Sequence, residues 1–273
     1  MELVVFDLDG TLLDRNQTLS PFTLETLDAL SERGILYTIA TGRTHLAARK
    51  CLTQHHFEHW MIFKNGVEWW HPLKQQYRHQ TSLKRDSVDF ALSHFSLNGV
   101  TPFVFCVASD GSHKVYHPPI KAHLSNLIAN ELGQHEELSL HPIREMKNDD
   151  VVTNLSALGS EGQASSIVLS LNGINEIKAY CGGGVYNKDV FWIDIHHQNA
   201  CKGSAISALK NELGANKIIA FGDGDNDLSM FEYADEFFVP NNATMRIKSH
   251  ATKVIGHHND DGVAHFLRDY FQL

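Results

Sequence analysis

The apolar positions of the chain fall into short unbroken runs that alternate with segments of helical spacing, and this rhythm predicts the architecture. Leu3 to Phe6 form a β-branched, aromatic run, the pattern of a strand buried on both faces of a parallel sheet. A polar turn follows. Pro21 then stands at a first helical position behind Ser20 as cap, and Leu24, Leu27 and Leu30 carry an amphipathic helix that stops at Gly34. Ile35 to Ala40 reads as a second buried strand, a helix continues through Leu46, Ala47 and Leu52, and Trp60 to Phe63 is a third short strand. Strand, helix, strand, helix, strand at this spacing is a doubly wound α/β pattern.

Near residue 80 the rhythm changes. Residues 67–80 read as a hairpin, Ser82 to Ser96 as a helix, and Thr101 to Ala108 and His113 to Tyr116 as strands around an Asp110-Gly111 turn. A helix over about Pro119 to Leu132 follows. Ile167 to Leu171 and Val190 to Ile195 read as later strands, with Gly182-Gly183-Gly184 between them. From Cys201 the α/β alternation returns, with a helix at Ser204–Leu213, a strand at Lys217–Phe221 and a loop from Gly222 to Asp227. A helix through Leu228 to Tyr233, a strand at Phe237–Val239, and helices near Thr244–Ser249 and Asp261–Phe271 complete it. One domain is therefore expected to interrupt another: a doubly wound parallel-sheet core from residues 1–81 and 191–273, with an α+β insertion over 82–190. No internal repeat or low-complexity linker is visible.

Composition narrows the class. The 273 residues are 42% apolar and 20% charged, as in an ordinary globular protein. A net charge of −9 argues against nucleic acid or an anionic membrane as partner, while a locally positive pocket for an anionic substrate stays compatible with it. No obligate protein partner is indicated. The start does not resemble a signal peptide, and no apolar stretch reaches the length of a membrane span. Cys51, Cys106, Cys181 and Cys201 are scattered, which indicates neither a zinc site nor a disulfide framework and makes the cytoplasm the default. Among the 18 histidines, His55 and His59 have a spacing that could ligate a metal from one helical face. The segment sits where a helix should be ending and no third ligand is placed, so a structural role is the better reading.

The chemistry gathers at four points where strands end or helices begin. Asp7-x-Asp9-Gly10-Thr11 closes the first strand. Side chains two apart start on the same side of a strand, so both carboxylates are expected to aim at one point, where ligands bind in open α/β sheets. Like charges held together there call for a cation or a proton. Thr41-Gly42-Arg43 lies between a strand and a helix, where a hydroxyl and free backbone N–H groups suit phosphate oxygens. Lys202-Gly203 precedes a helix and provides a point charge for phosphate or for the carboxylates. Gly222-Asp223-Gly224-Asp225-Asn226-Asp227 adds carboxylates and an amide in a tight loop. Each alone is weak. The calcium-loop reading of D-x-D-G fails because Thr18 stands where a twelfth-position glutamate is needed.

Taken together, the four points resemble the motifs of the haloacid dehalogenase superfamily, and more closely its Cof-like branch with a large type IIB cap. D-L-D-G-T-L-L at Asp7 to Leu13 looks like the first motif, A-T-G-R at Ala40 to Arg43 the second, Lys202-Gly203 the third and G-D-G-D-N-D the fourth. Asn65-Gly66, Asn242-Ala243 and Asp261-Gly262-Val263 also fit the branch. The resemblance runs over the whole chain and implies a Rossmann-like core with an inserted α+β cap carrying substrate specificity.

It further implies a Mg²⁺-dependent phosphatase of small phosphorylated metabolites, such as a sugar phosphate or a phosphorylated cofactor. Asp7 would be the nucleophile that forms an aspartyl-phosphate, and Asp9 the general acid and then base. Asp7, the backbone carbonyl of Asp9, and Asp223 would hold Mg²⁺, with Asp227 supporting that shell directly or through water. Leu8, Thr41, Gly42, Lys202 and Asn226 would bind the transferring phosphoryl group. Arg43 reads two ways, as a substrate or cap contact or as a structural salt bridge. Asp225 reads as a solvated loop charge, and Trp69 and Trp70 as core packing rather than substrate readers. A phosphomutase of the same superfamily is the alternative enzyme. A silent binder would be expected to have lost a motif residue, and a signalling receiver would be shorter and place its acceptor after a later strand.

Overall fold

The apolar run at the start of the chain forms the strand Glu2–Phe6, the pivot of a five-stranded sheet. The sheet runs in the order Lys253–Ile255, Glu236–Pro240, Lys217–Phe221, Glu2–Phe6, Leu36–Ile39, with every pairing parallel. Leu3 lies opposite Ile218 on one side and Leu36 on the other. The alternation along the strand sorts its side chains between two cores. Val4 and Phe6 join Leu27, Leu30, Ala48 and Leu267 on one face, while Leu3 and Val5 join Ala205, Ile206, Leu209 and Met230 on the other. Helices thus cover both faces, which is why the strand is apolar at every position. Ser20 caps the helix Pro21–Glu32 by accepting a hydrogen bond from the Thr23 N–H.

The computed structural model describes residues 1–79, 81–109, 112–120, 123–135, 138–174, 176–183 and 188–273. The chain divides into two units, Met1–Gln80 with Ala200–Leu273, and Thr81–Asn199. In the first unit, Met61–Phe63 pairs with the hairpin Glu68–His71 and Gln76–His79 in a separate antiparallel sheet, touching the end of the parallel sheet through an Ala40–Ile62 bridge.

The second unit is a six-stranded sheet in the order Ile177–Gly183, Phe191–His197, Val151–Gly159, Phe103–Val107, His113–His117, Ser139–Pro142. Only the last pair is parallel. One face packs on helices Arg85–Leu97 and Glu161–Leu171 through Val88, Phe95, Ala164 and Ile167. On the other, Phe103, Phe105 and Val115 pack on the helix His123–Leu132.

The described residues depart from the sequence reading at several places. Ile167 to Leu171, expected as a strand, is the last part of the helix Glu161–Leu171, started by a reciprocal capping box between Ser160 and Gln163. The strands Val151–Gly159, Ile177–Gly183 and Lys253–Ile255 were not anticipated. The division at Asn199/Ala200 lies beyond the expected 190/191, because Phe191–His197 is an interior strand of the second sheet. Asp110, Gly111 and Gly184 lie outside the described residues.

An aromatic series ties the parallel sheet to its final helix, with Phe6, Phe221, Phe238 and Phe266 spaced 5.4, 5.4 and 4.2 Å between successive ring centroids. Phe238→Ala should therefore lower the stability of the first unit by about 3–5 kcal/mol, measured by urea denaturation. A loss below about 1 kcal/mol would show that the series does not carry the packing.

Candidate active site

The order of the sheet fixes where a site can form. The chain leaves Glu2–Phe6 toward Leu36–Ile39 on one side, and Lys217–Phe221 flanks it on the other, so the carboxyl ends of the two central strands border the crevice where the winding direction switches. The Asp7 N–H donates to the Phe221 carbonyl at 2.9 Å, bringing Asp7 beside Gly222 and Asp223. A wide turn over Leu8–Leu12 follows, closed by Leu13 N–H to the buried Leu8's carbonyl at 2.9 Å. Gly10 sits at φ +70°, and a Cβ there would lie 2.2 Å from Asp223 Oδ2, so the turn can pass the carboxylate only at glycine.

This turn separates the two aspartates that the strand pattern aimed at one point. The strand ends at Phe6, and the alternation ends with it. Asp7 is buried, whereas the Asp9 side chain is half-exposed and held by Arg43 through Nε–Oδ2 and Nη2–Oδ1 contacts of 2.7 and 2.5 Å. That two-pronged pair is the salt bridge of the two readings of Arg43.

Lys202 lies in the first turn of the helix Lys202–Leu213, rather than just ahead of a helix, with the Cys201 thiol accepting from the Ser204 N–H as cap. Its ammonium is fully buried and donates to Asp7 Oδ1 and Asp227 Oδ1, both at 2.6 Å. Asp227 uses its other oxygen to accept the N–H groups of Asp223 and Gly224, at 3.0 and 2.9 Å. Asp223 accepts from Thr11 Oγ1 at 3.4 Å and Asn242 Nδ2 at 3.2 Å.

Two carboxylates thus share one ammonium, with the third beside them. Burial works against the Lys202 charge, but Asp227 and Asp7 outweigh it and push its pKa up. Burial, and then the charge of Asp227, drive the Asp7 pKa well above the carboxylate range against the pull of Lys202. Asp223 is raised to about 6 by burial and by Asp227. Asp7, Asp223 and Asp227 each offer an oxygen, and all three lie within 4.8 Å of one another, a donor set that suits a hard divalent cation. Asp9's side chain is outside this set.

The second motif lies against the fourth. Thr41 is buried and its Oγ1 accepts from the Arg43 N–H at 3.2 Å. The following helix begins only at His45, capped by Thr44, so Thr41 to Arg43 form a loop and not a helix N-terminus. A Cβ on Gly42 would lie 3.2 Å from Asn65 Oδ1 and 3.4 Å from Asn226 Nδ2. Asn226 Nδ2 donates to Asn65 Oδ1 at 3.0 Å.

Two asparagines hold places that the sequence reading noted as motif letters without a role. Asn65 meets Asn226, and Asn242 Nδ2 donates to the Gly10 carbonyl at 2.7 Å as well as to Asp223. The signal available for both was an amide at the edge of a loop following an apolar run. His55, weighed as a metal ligand, hydrogen-bonds Tyr37 at 2.6 Å. Trp69 is buried with its N–H on the Gly66 carbonyl, and Trp70 stacks on His45.

A family model described as haloacid dehalogenase-like hydrolase matches residues 4–267. The chain is similar to the 5-amino-6-(5-phospho-D-ribitylamino)uracil phosphatase of Bacillus subtilis, 27% identical over 274 residues covering 99% of this chain and 98% of that one. It is 26% identical to the HMP-PP phosphatase of an Enterobacter species over 97% of this chain and 94% of the relative. A solved structure of a haloacid dehalogenase-like hydrolase from B. subtilis has a TM-score of 0.77 at 22% identity, covering 98% of this chain and 99% of that chain.

The raised carboxylates give a signed prediction. A folded-state pKa near 6 for Asp223, above its unfolded value of about 3.9, means the folded chain binds more protons between those values. This group's contribution to metal-free stability therefore falls as pH rises through that window. A divalent cation must displace those protons. Adding one should raise the thermal midpoint more at pH 7.5 than at pH 5, as read by thermal denaturation with and without chelator. An equal shift at both values would remove the cluster as the binding site.

Proposed function

This chain belongs to the haloacid dehalogenase-like hydrolases, in their Cof-like branch, and from that premise we propose that it is a Mg²⁺-dependent phosphatase of small phosphorylated metabolites working through an aspartyl-phosphate. The observation that carries the reading is the buried Asp7–Lys202–Asp227 group, with Asp223 beside it, at the switch point of the parallel sheet. Asp7 attacks phosphorus through a carboxylate oxygen while the ester oxygen leaves, and Asp9 gives that oxygen its proton. Asp9 then takes a proton from water, whose oxygen attacks the phosphorus of the acyl phosphate and restores the Asp7 carboxylate as phosphate departs.

Asp9's half-exposed position supports that role by leaving it open to substrate and water, and both its oxygens lie on Arg43, so the guanidinium must yield one of them for Asp9 to carry the proton. Lys202 orients Asp7 and neutralises charge gathering on the transferring group. The Leu8 backbone, Thr41, Gly42 and Asn226 surround that group, and Arg43 serves as the holder of Asp9. Mg²⁺ on Asp7, the Asp9 carbonyl and Asp223, with Asp227 behind them, would supply further charge neutralisation. The substrate is a small phosphorylated metabolite, a sugar phosphate or a phosphorylated cofactor or precursor, a class supported by the phosphatase names of the relatives.

No helix among the described residues is long and apolar enough to cross a membrane, and the four free cysteines suit the cytoplasm as its compartment.

Phosphate release from a panel of sugar phosphates, cofactor precursors and p-nitrophenyl phosphate tests the proposal. Release should require Mg²⁺, stop with EDTA, and fall by on the order of a thousandfold or more in Asp7→Asn with the fold retained. Release that survives in Asp7→Asn would take the nucleophile's role from Asp7. No release, together with a phosphorylated Asp7, would favour a phosphomutase.

A further inference from the structure

Three consecutive residues, Lys64, Asn65 and Gly66, hold positive φ angles of 48°, 54° and 108°. The first two carry a Cβ, for which this conformation is unfavourable, and such runs persist only where the surroundings impose them. Here the contacts that impose it lead to three parts of the candidate site. The Lys64 N–H donates to the Arg43 carbonyl at 2.9 Å, and the Asn65 N–H to the Thr41 carbonyl at 3.0 Å. The Lys64 ammonium forms a buried pair with Glu68 at 3.3 Å. The Asn65 side chain accepts from Asn226. Gly66 lies so close to the residue preceding Lys202 that a Cβ there would be 2.5 Å from the Cys201 carbonyl oxygen. One strained turn therefore touches the loops of Thr41, Lys202 and Asn226 at once.

We propose that Asn65 is a positioning residue of the phosphoryl site, fixing the amide plane of Asn226 and, by donating to the Thr41 carbonyl, the backbone that carries the Thr41 hydroxyl, so that the Asn226 Nδ2–H and the Thr41 hydroxyl converge on the transferring group. The inference rests on the phosphatase reading above and deepens it. Asn226 Nδ2 carries two hydrogens. Giving one to Asn65 fixes the direction of the other, and the rotational freedom of the amide is lost before the ligand arrives. Gly42, flanked by both amides, leaves room for that convergence.

The test is a thermodynamic cycle on the binding of inorganic phosphate, read by calorimetry with Mg²⁺ present. Asn65→Gly keeps the left-handed backbone and removes only the amide, unlike Asn65→Ala, which strains the turn as well. Phosphate should bind Asn65→Gly about threefold to tenfold more weakly, with the thermal midpoint kept. Asn226→Ala should show a similar loss, and the double variant should bind no worse than Asn226→Ala alone. Unchanged phosphate binding in Asn65→Gly, or losses that add in the double variant, would overturn the positioning role while leaving the phosphatase reading in place. Phosphate binding that follows the cycle in a protein without turnover would keep the positioning role and remove the phosphatase. A wild-type protein that does not bind phosphate would overturn both.

Discussion

A lysine ammonium without access to water is tolerated only where carboxylates stand on it, and the first unit is arranged to meet that condition. Lys202 comes from a helix, Asp7 from the end of the central strand and Asp227 from the loop after the neighbouring strand. The three meet because Glu2–Phe6 and Lys217–Phe221 lie side by side in parallel, with both ends at the same edge of the sheet. Removing either charge type would strand the other in a medium that solvates it poorly. The group contains more negative than positive charge, and burial first, then that imbalance, raise Asp7 and Asp223. A site in deficit of positive charge is less stable alone than an evenly paired one, and the same deficit draws a cation.

The two aspartates of the first motif therefore live in different environments despite standing two residues apart. Asp7 shares a buried ammonium, and Asp9 faces solvent in the grip of Arg43. The turn around Gly10 creates the difference, and Asn242 fastens it by holding the Gly10 carbonyl and Asp223 together. The roles proposed above for the two groups would differ accordingly, although both come from one short stretch.

Much of this was legible in the sequence because buried parallel strands have a pattern of their own. Leu3 to Phe6, Ile218 to Phe221 and the glycine- and aspartate-rich stretches behind them marked the core and the motif residues. The second unit was less legible for physical reasons. Ile167 to Leu171 is a short apolar run, which periodicity cannot assign to helix or strand, and the decisive signal was the Ser160 and Gln163 cap lying outside the run. In Val151–Gly159 the pairing skips Thr153, since Phe105 faces Asn154 and Cys106 faces Val152. That bulge breaks the alternation by which a half-buried strand is read. Contacts such as Asn65 with Asn226, 161 residues apart, leave no local pattern at all.

The position of Glu2–Phe6 in the middle of the sheet also sets an order of events in the making of the protein. Its partner on one side is available once residue 39 has been made, but its partner on the other begins at Lys217. At about 5–20 residues per second on the ribosome, a strand apolar on both faces waits roughly 10–40 s for its neighbour to emerge. During that interval the sheet lacks the strand that leads to Asp223, and Lys202 has not yet met Asp227. The site is thus completed only after Asp227 has been made. A partly made chain holds an apolar strand with an open edge, the form in which a chaperone or a second nascent chain would find it.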